Sequence, residues 1–441
     1  MSRILIEKGT LLTFGQPCRV AEQDLLIEGG TIARIGPRGW IEGPFDRVLD
    51  AAGKVVLPGL INAHMHFYST FARGLTKAKP GRDFTEVLRN LWWRLDKALS
   101  LEDVRTGALV MALEAIRKGC TTLIDHHASP GAVTGSLDAL AGAVKQAGIR
   151  ACLCYEVSDR DGSSVRDAGL EENAAFIRRC AREQDPQLRA LFGLHAAFTL
   201  SDESLDRAAA LGRELGTGFH VHVAEAESDQ AHSLTQHGER VVARLRRHGI
   251  LGPGTIAAHA VHVMEPEMAD LAESGATVVT NPQSNLNNAV GIADLVGLRR
   301  KGAPVALGTD AMTVNMLEEL RVALWAQHRR QDDAGAAWDV VTDSLTVENP
   351  RLASRLWGFP LGTLVEGAAA DLILMDYDPP TPMESDNALG HLVFGLSQAS
   401  VDTTICAGHI LMEGRQLKLD LDETELNARS RELARKLWER F

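Results

Sequence analysis

The chain has 441 residues, of which 45% are hydrophobic and 24% charged, proportions that exclude a disordered or membrane-embedded protein. A net charge of -12 at pH 7 argues against nucleic acid or an anionic membrane as partner, because a phosphate backbone needs clustered basic side chains. The length exceeds what one small core can hold and suits an α/β barrel with an attached module.

The amino terminus, Met1 to Glu7, alternates toward a strand and lacks a signal-peptide core; nowhere is an apolar run long enough to span a bilayer. Six cysteines (Cys18, Cys120, Cys152, Cys154, Cys180 and Cys406) are scattered without disulfide-scaffold spacing, so a reducing cytoplasm is expected. Cys152 and Cys154 read as small hydrophobes in a buried strand.

Residues 1–57 carry short β runs: Leu11 to Phe14, Asp24 to Gly30, and Thr31 to Ile35. Gly29-Gly30 is a hairpin signal between two of them. Similar runs return at Ala370 to Asp376 and Asp402 to Ile410. Two β segments flanking a long middle region predict one small β-sandwich domain formed from both chain ends, residues 1–57 and 359–418.

Residues 58–358 read as strands alternating with helices. The first strand runs from Val55 through Pro58-Gly59 to His66. The others are Cys120 to Asp125, Arg150 to Val157, Ala190 to His195, Gly218 to Val223, Thr255 to His259, Thr277 to Asn281 and Pro304 to Asp310. With helices such as Glu102 to Lys118 and Val241 to His248 between them, the pattern predicts a (β/α)8 TIM-like barrel, whose active sites lie at the carboxyl ends of the strands. Residues 419–441 form a charged amphipathic helix, expected on the outside or against a neighbouring subunit in a homo-oligomer.

Candidate chemistry gathers at those strand ends. His64 and His66 alternate on one strand face and converge on one point, a metal-ligand geometry. In Phe219-His220-Val221-His222-Val223-Ala224-Glu225, alternation puts both histidines on one face. A carboxylate just past His222 favours His222 as the metal ligand, Glu225 as the acid/base and His220 as a supporting residue. Asp310 ends an apolar strand, where an unpartnered carboxylate is costly, so it faces or binds the metal. His195 closes the fourth strand toward the same mouth. Phe67, Tyr68, Trp92, Trp93 and Phe198 are candidates to stack on a flat ring. Arg73 follows the first strand and is read as a ligand contact or a structural ion pair.

Taken together these elements resemble the amidohydrolase superfamily, in its mononuclear aminohydrolase branch of cytosine and guanine deaminases and chlorohydrolases. The matching strings are Pro58 to His66, His222-x-x-Glu225, His259, Asn281-Pro282-x-Ser284-Asn285 and Gly308-Thr309-Asp310. Leu91-Trp92-Trp93-Arg94-Leu95-Asp96, Asp125-His126-His127-Ala128-Ser129-Pro130 and Pro380-Thr381-Pro382 resemble the SsnA-like subgroup. The resemblance implies one divalent metal, zinc first and Fe(II) second, held by His64, His66, His222 and Asp310. It implies that Glu225 moves protons, that His259 orients the nucleophilic water, that Asp310 also takes its proton, and that His195 contacts the substrate. Of the adjacent pair, His127 is assigned to the pocket and His126 to structure. The binuclear members bridge two metals through a carboxylated lysine on the fourth strand, and this chain has no lysine between Lys145 and Lys301. The expected reaction is hydrolytic deamination of a small nitrogen heterocycle. Cyclic-amide or chloro-heterocycle hydrolysis is the alternative on the same site, and a non-catalytic metal-binding barrel is disfavoured by the intact acid/base pair.

Overall fold

A computed structural model of the chain describes residues 2–441; Met1, at the head of the predicted first strand, lies outside the described residues. Eight parallel strands form the central barrel: Leu60–Met65, Cys120–Asp125, Arg150–Leu153, a fourth strand in two pieces (Leu188–Ala190 and Phe192–Ala196), Phe219–Val223, Ile256–His259, Thr277–Thr280 and Val305–Leu307. The two pieces of the fourth strand pair with different neighbours, so the ladder splits into a four-stranded and a five-stranded sheet at Leu191. Parallel bridges from Val157 to Leu194 and from Met65 to Asp310 complete the ring. Helices lie between the strands as the sequence period requires. Leu101–Arg117, for example, begins at a capping box in which Ser100 and Asp103 bond each other's backbone N–H groups.

The apolar run Val55 to His66 is not one strand. Lys54–Pro58 pairs with Leu372–Asp376 and with Thr10–Thr13 in the module, whereas Leu60–Met65 opens the barrel. Gly59 is the break: its N–H donates to the Asp371 carbonyl, and a Cβ there would lie 2.3 Å from Thr121 Oγ1, so only glycine passes so close.

The expected β-sandwich domain is present, its ten strands, drawn from both chain ends, forming one continuous hydrogen-bonded sheet folded on itself. The reason is the long strand Arg19–Glu28. Its first half pairs with Thr10–Thr13 and its second half with Arg3–Glu7, so it belongs to both halves of the sheet and curls it over a shared core. That core holds Ile4, Leu25, Ile27 and Val56 from one end and Leu372, Leu374 and Ile405 from the other. The last helix, Glu423–Arg440, packs on the barrel helix Leu101–Arg117 through Leu433 and Leu437. It is also bonded to the segment after the first strand: Trp438 Nε1 donates to the Phe71 carbonyl at 2.8 Å, and Lys77 Nζ to the Trp438 carbonyl at 2.7 Å. Among the described residues, no helix is long and apolar enough to cross a membrane.

Barrel and module are joined by a buried ion pair. Arg150 on the third strand donates from Nε and Nη2 to both oxygens of Asp371, at 2.8 and 3.2 Å, with side chains only 3% and 1% exposed. Asp371 also accepts from Ala407 N, and Arg150 Nη1 donates to the Pro186 carbonyl. Removing one partner strands a buried charge, so Asp371→Ala is expected to lower the unfolding free energy by about 3–5 kcal/mol in urea titration. The apolar double variant Arg150→Met/Asp371→Leu should lose far less. Equal losses in the two would show that the pair is not the cause.

Candidate metal centre

Three strands deliver the central histidines. His64, on the first strand, is fully buried; Nδ1 meets His220 Nε2 at 2.8 Å, so His220 turns the ring and leaves His64 Nε2 without a protein partner. His66, just past that strand, has Nδ1 against the His126 carbonyl, which can only accept, so Nδ1 carries the proton. Its Nε2 lies 3.0 Å from Asp310 Oδ1. His222 on the fifth strand stands beside both, with ring centroids 5.2 Å from His64 and 5.4 Å from His66. His259 ends the sixth strand; Asn285 Oδ1 accepts its Nδ1–H at 2.9 Å, and its buried Nε2 is unpartnered, 3.5 Å from Glu225 Oε2 and 3.9 Å from Asp310 Oδ2.

Local backbone geometry makes this convergence possible. His259 and Asp310 both sit in the left-handed region, at φ 76° and 53°, a conformation that non-glycine residues hold only where surrounding structure enforces it. Ala224, at φ 47°, bends the chain between His222 and Glu225 so that both face the centre. Asp229 then accepts the N–H groups of Glu225 and Ala226 at 3.0 and 3.3 Å, fixing the strand-to-helix turn. Gly308 has no room for a side chain: a Cβ would lie 2.8 Å from His64 Cβ and 2.6 Å from Asn281 Oδ1.

The electrostatics call for a cation. Burial alone would raise Asp310, but hydrogen bonding and charge from His66, with His259 and the Ser284 hydroxyl, outweigh it and hold this carboxylate below its usual range. Burial would lower His66, yet the Asp310 and Glu156 carboxylates push it well above an ordinary imidazole. Burial first and neighbouring imidazoles second lower His64 and His222, and burial lowers His259 against the opposing pull of Asp310 and Asn285, which favours the neutral form that can donate a lone pair. Neutral imidazoles with unpartnered nitrogens around one carboxylate fit a divalent metal of borderline hardness. His64, His66, His126 and His222 form one group able to hold an ion, and His64, His259 and Asp310 another.

A cavity opens directly above the centre. Its floor is His66, His222, Glu225 and Asp310, and its aromatic wall is Tyr68, Phe84, Trp92, Trp93 and Phe198. Trp92 ends a π-helical turn, Leu88–Trp92, that follows the short α-helix Phe84–Val87, and Trp93 opens the α-helix Trp93–Ala98 directly after it. Burial raises Glu225 well above an ordinary carboxyl, and the negative Asp310 and Asp229 raise it further.

Two expected substrate contacts lie elsewhere. Arg73 is 64% exposed and forms a two-point pair with Glu114, at 2.6 and 3.0 Å, because the chain turns outward after the first strand. His127 is buried behind the cavity with Nε2 on Ser129 Oγ at 3.0 Å, and burial pulls it down to about 3. His126, its neighbour, stacks on His220 with centroids 4.3 Å apart and stands in the metal-ligating group. Trp92 and His195 do line the cavity. Three lining acids and one base were not singled out as substrate contacts from sequence: Glu156, Asp96, Asp229 and Arg160. Asp96 follows Trp92 by four residues, a helical spacing that signals a shared face. Arg160 pairs with Asp96 in the cavity wall, and burial, only partly offset by Arg160, raises Asp96 to about 6.

Comparison with known proteins follows the same lines. Residues 55–411 match the model of the amidohydrolase family. A 5-methylthioadenosine/S-adenosylhomocysteine deaminase of Desulforudis audaxviator is 32% identical, over 94% of this chain and 95% of its own. A 5'-deoxyadenosine deaminase of Methanobrevibacter smithii is also 32% identical, over 94% of each chain. The crystal structure of an adenosine deaminase from Xanthomonas campestris with bound zinc superposes with a TM-score of 0.87 at 26% identity, over 99% of this chain and 98% of that one.

Gly308→Ala is expected to displace His64 and lower the melting temperature while the secondary structure is retained, because the added Cβ meets His64 backbone as well as side chain. Metal analysis after dialysis against zinc should find well under one equivalent, with circular dichroism unchanged. Full occupancy in the folded variant would show that Gly308 has no part in the centre.

Proposed function

The chain belongs to the amidohydrolase family, and from that membership we propose that it is a zinc-dependent aminohydrolase that replaces the exocyclic amino group of an amidine-like ring carbon with oxygen, releasing ammonia. It is a hydrolase of carbon–nitrogen bonds other than peptide bonds, acting on a small heterocycle. A 6-aminopurine ring is our first candidate, since the relatives are named for deamination of adenosine derivatives. We assign the metal to His64, His66, His222 and Asp310, and zinc over Fe(II) because the adenosine deaminase structure carries zinc.

The observation that carries this reading is the placement of two buried carboxyl groups of opposite tendency on one imidazole nitrogen, Glu225 Oε2 at 3.5 Å and Asp310 Oδ2 at 3.9 Å from His259 Nε2. Glu225, raised by burial, can donate a proton to the ring nitrogen next to the reacting carbon, where negative charge would otherwise accumulate. Asp310, lowered by His66, accepts the proton of the attacking water. The unpartnered Nε2 of His259, between the two acids, receives a hydrogen bond from that water and orients it. When bound, a divalent cation supplies the Lewis acidity that makes water nucleophilic at neutral pH. Tyr68, Trp92, Trp93 and Phe198 exclude bulk water and stack on the ring.

A panel of aminopurines and aminopurine nucleosides, aminopyrimidines, aminopterins and aminotriazines, assayed for ammonia with the zinc-loaded protein, tests the reading. Glu225→Gln is expected to keep one zinc and to lose about 10²- to 10⁴-fold in kcat. Chelation should abolish turnover and zinc restore it. Turnover that survives in Glu225→Gln would refute the acid assignment; ring-opened acid or chloride in place of ammonia would move the reaction to cyclic-amide or chloro-heterocycle hydrolysis. We further propose a cytoplasmic homo-oligomer, on the strength of six free thiols and exposed large side chains such as Trp325 and Phe394. A monomeric mass in light scattering at micromolar concentration would contradict the oligomer.

A further inference from the structure

One buried acid has no part in the reaction above. Glu156 follows the third barrel strand, its side chain is 2% exposed, and it lines the same cavity as Glu225, which follows the fifth strand, two places further round the barrel. Its Oε1 is buried without a hydrogen-bond partner. Imidazoles surround the carboxylate: His66 Nδ1 lies 3.3 Å and His126 Nδ1 3.7 Å from Oε1, and His195 Nε2 lies 3.8 Å from Oε2. His66 Nδ1–H is already engaged by the His126 carbonyl. His195 offers no proton either. Thr199 donates its hydroxyl hydrogen to the Ala196 carbonyl at 3.0 Å, so its oxygen accepts from His195 Nδ1–H at 2.8 Å. That tautomer leaves a lone pair on Nε2, facing the cavity and the Glu156 carboxylate.

Two acceptors aimed at one space repel each other, and an unbonded buried carboxylate is costly. A donor placed between them removes both penalties. We propose that Glu156 and His195 form an acceptor pair that reads an N–H group of the substrate, so that the preferred ligand is a heterocycle with a ring N–H or a second amino group on the edge away from Glu225. This rests on the deaminase reading for the ring's orientation and extends it to specificity. It favours a free base over the same base alkylated at that nitrogen, as in a nucleoside.

The test compares ligands that differ only in this donor: adenine with 9-methyladenine and 5'-deoxyadenosine, and cytosine with 1-methylcytosine. Binding is measured by calorimetry on zinc-loaded Glu225→Gln protein, and turnover on the zinc-loaded wild type. The N–H member of a pair should bind roughly ten- to hundredfold more tightly. Glu156→Leu should erase that preference, with N-methylated ligands changed less than about threefold, one zinc retained and the melting temperature held. Glu156→Gln, which keeps an acceptor oxygen, should restore part of the preference. The proposal is overturned if no pair shows a preference, if Glu156→Leu weakens both members equally, or if it loses zinc, since Glu156 would then act through His66. Donor-selective binding without ammonia would sink the deaminase reading alone, and ammonia without donor selectivity the acceptor pair alone.

Discussion

The closing seam of the barrel is the constraint on which this site depends. The first and last strands meet at a single residue, where the His64 carbonyl accepts the N–H groups of both Thr309 and Asp310 at 2.9 Å. Asn62 strengthens the join, its Oδ1 accepting from Thr309 N and its Nδ2 donating to Thr309 Oγ1. Because the backbone of one candidate metal ligand is bonded to the backbone of another, the ring cannot close without bringing His64 and Asp310 together. Gly308 makes the approach feasible by having no side chain. The left-handed turn at Asp310 then points its carboxylate across the mouth. Fold stability and metal geometry are thus coupled through one peptide group.

Around that seam, each imidazole is oriented by a bond to its other nitrogen: His64 by His220, His66 by the His126 carbonyl, His259 by Asn285 and His195 by Thr199. Such bonds fix both ring rotation and tautomer, and so decide which nitrogen offers a lone pair. Burial depresses the imidazoles and raises Glu225, whereas Asp310 is lowered by its contacts. The same enclosed space therefore holds an acid and a base of one chemical type in opposite protonation states.

Much of this was legible in the sequence because strand alternation is local. His-x-His at Ala63-His64-Met65-His66 and the Glu225 three residues after His222 announce themselves by spacing alone, as do the β runs at both ends. What could not be read depends on partners distant along the chain. The break at Gly59 follows from Thr121 and Asp371, and the split of the fourth strand from pairing on two sides. Arg73 looked near the site by residue count, but its direction is set by Glu114. Choosing between His126 and His127 by sequence was equally blind, because which of two adjacent rings points inward depends on the twist after the second strand. Asp96 shares a helix face with Trp92, but Glu156 and Arg160 sit in the loop after the third strand, and only the assembled cavity brings the three together.

The π-helical turn that ends in Trp92 makes pocket shape depend on the number of residues as well as their kinds. An α-helix advances about 100° per residue, and a π turn holds an extra residue relative to an α turn. Deleting a single residue from Leu88–Trp92 would let the segment relax to regular helix and swing Trp92 away from Tyr68, which it now meets edge-on at 6.1 Å. Substitution changes what that wall is made of, but an insertion or deletion would re-aim it. Divergence among chains sharing this centre could therefore proceed by slippage in length at one turn, with every metal-facing residue left in place.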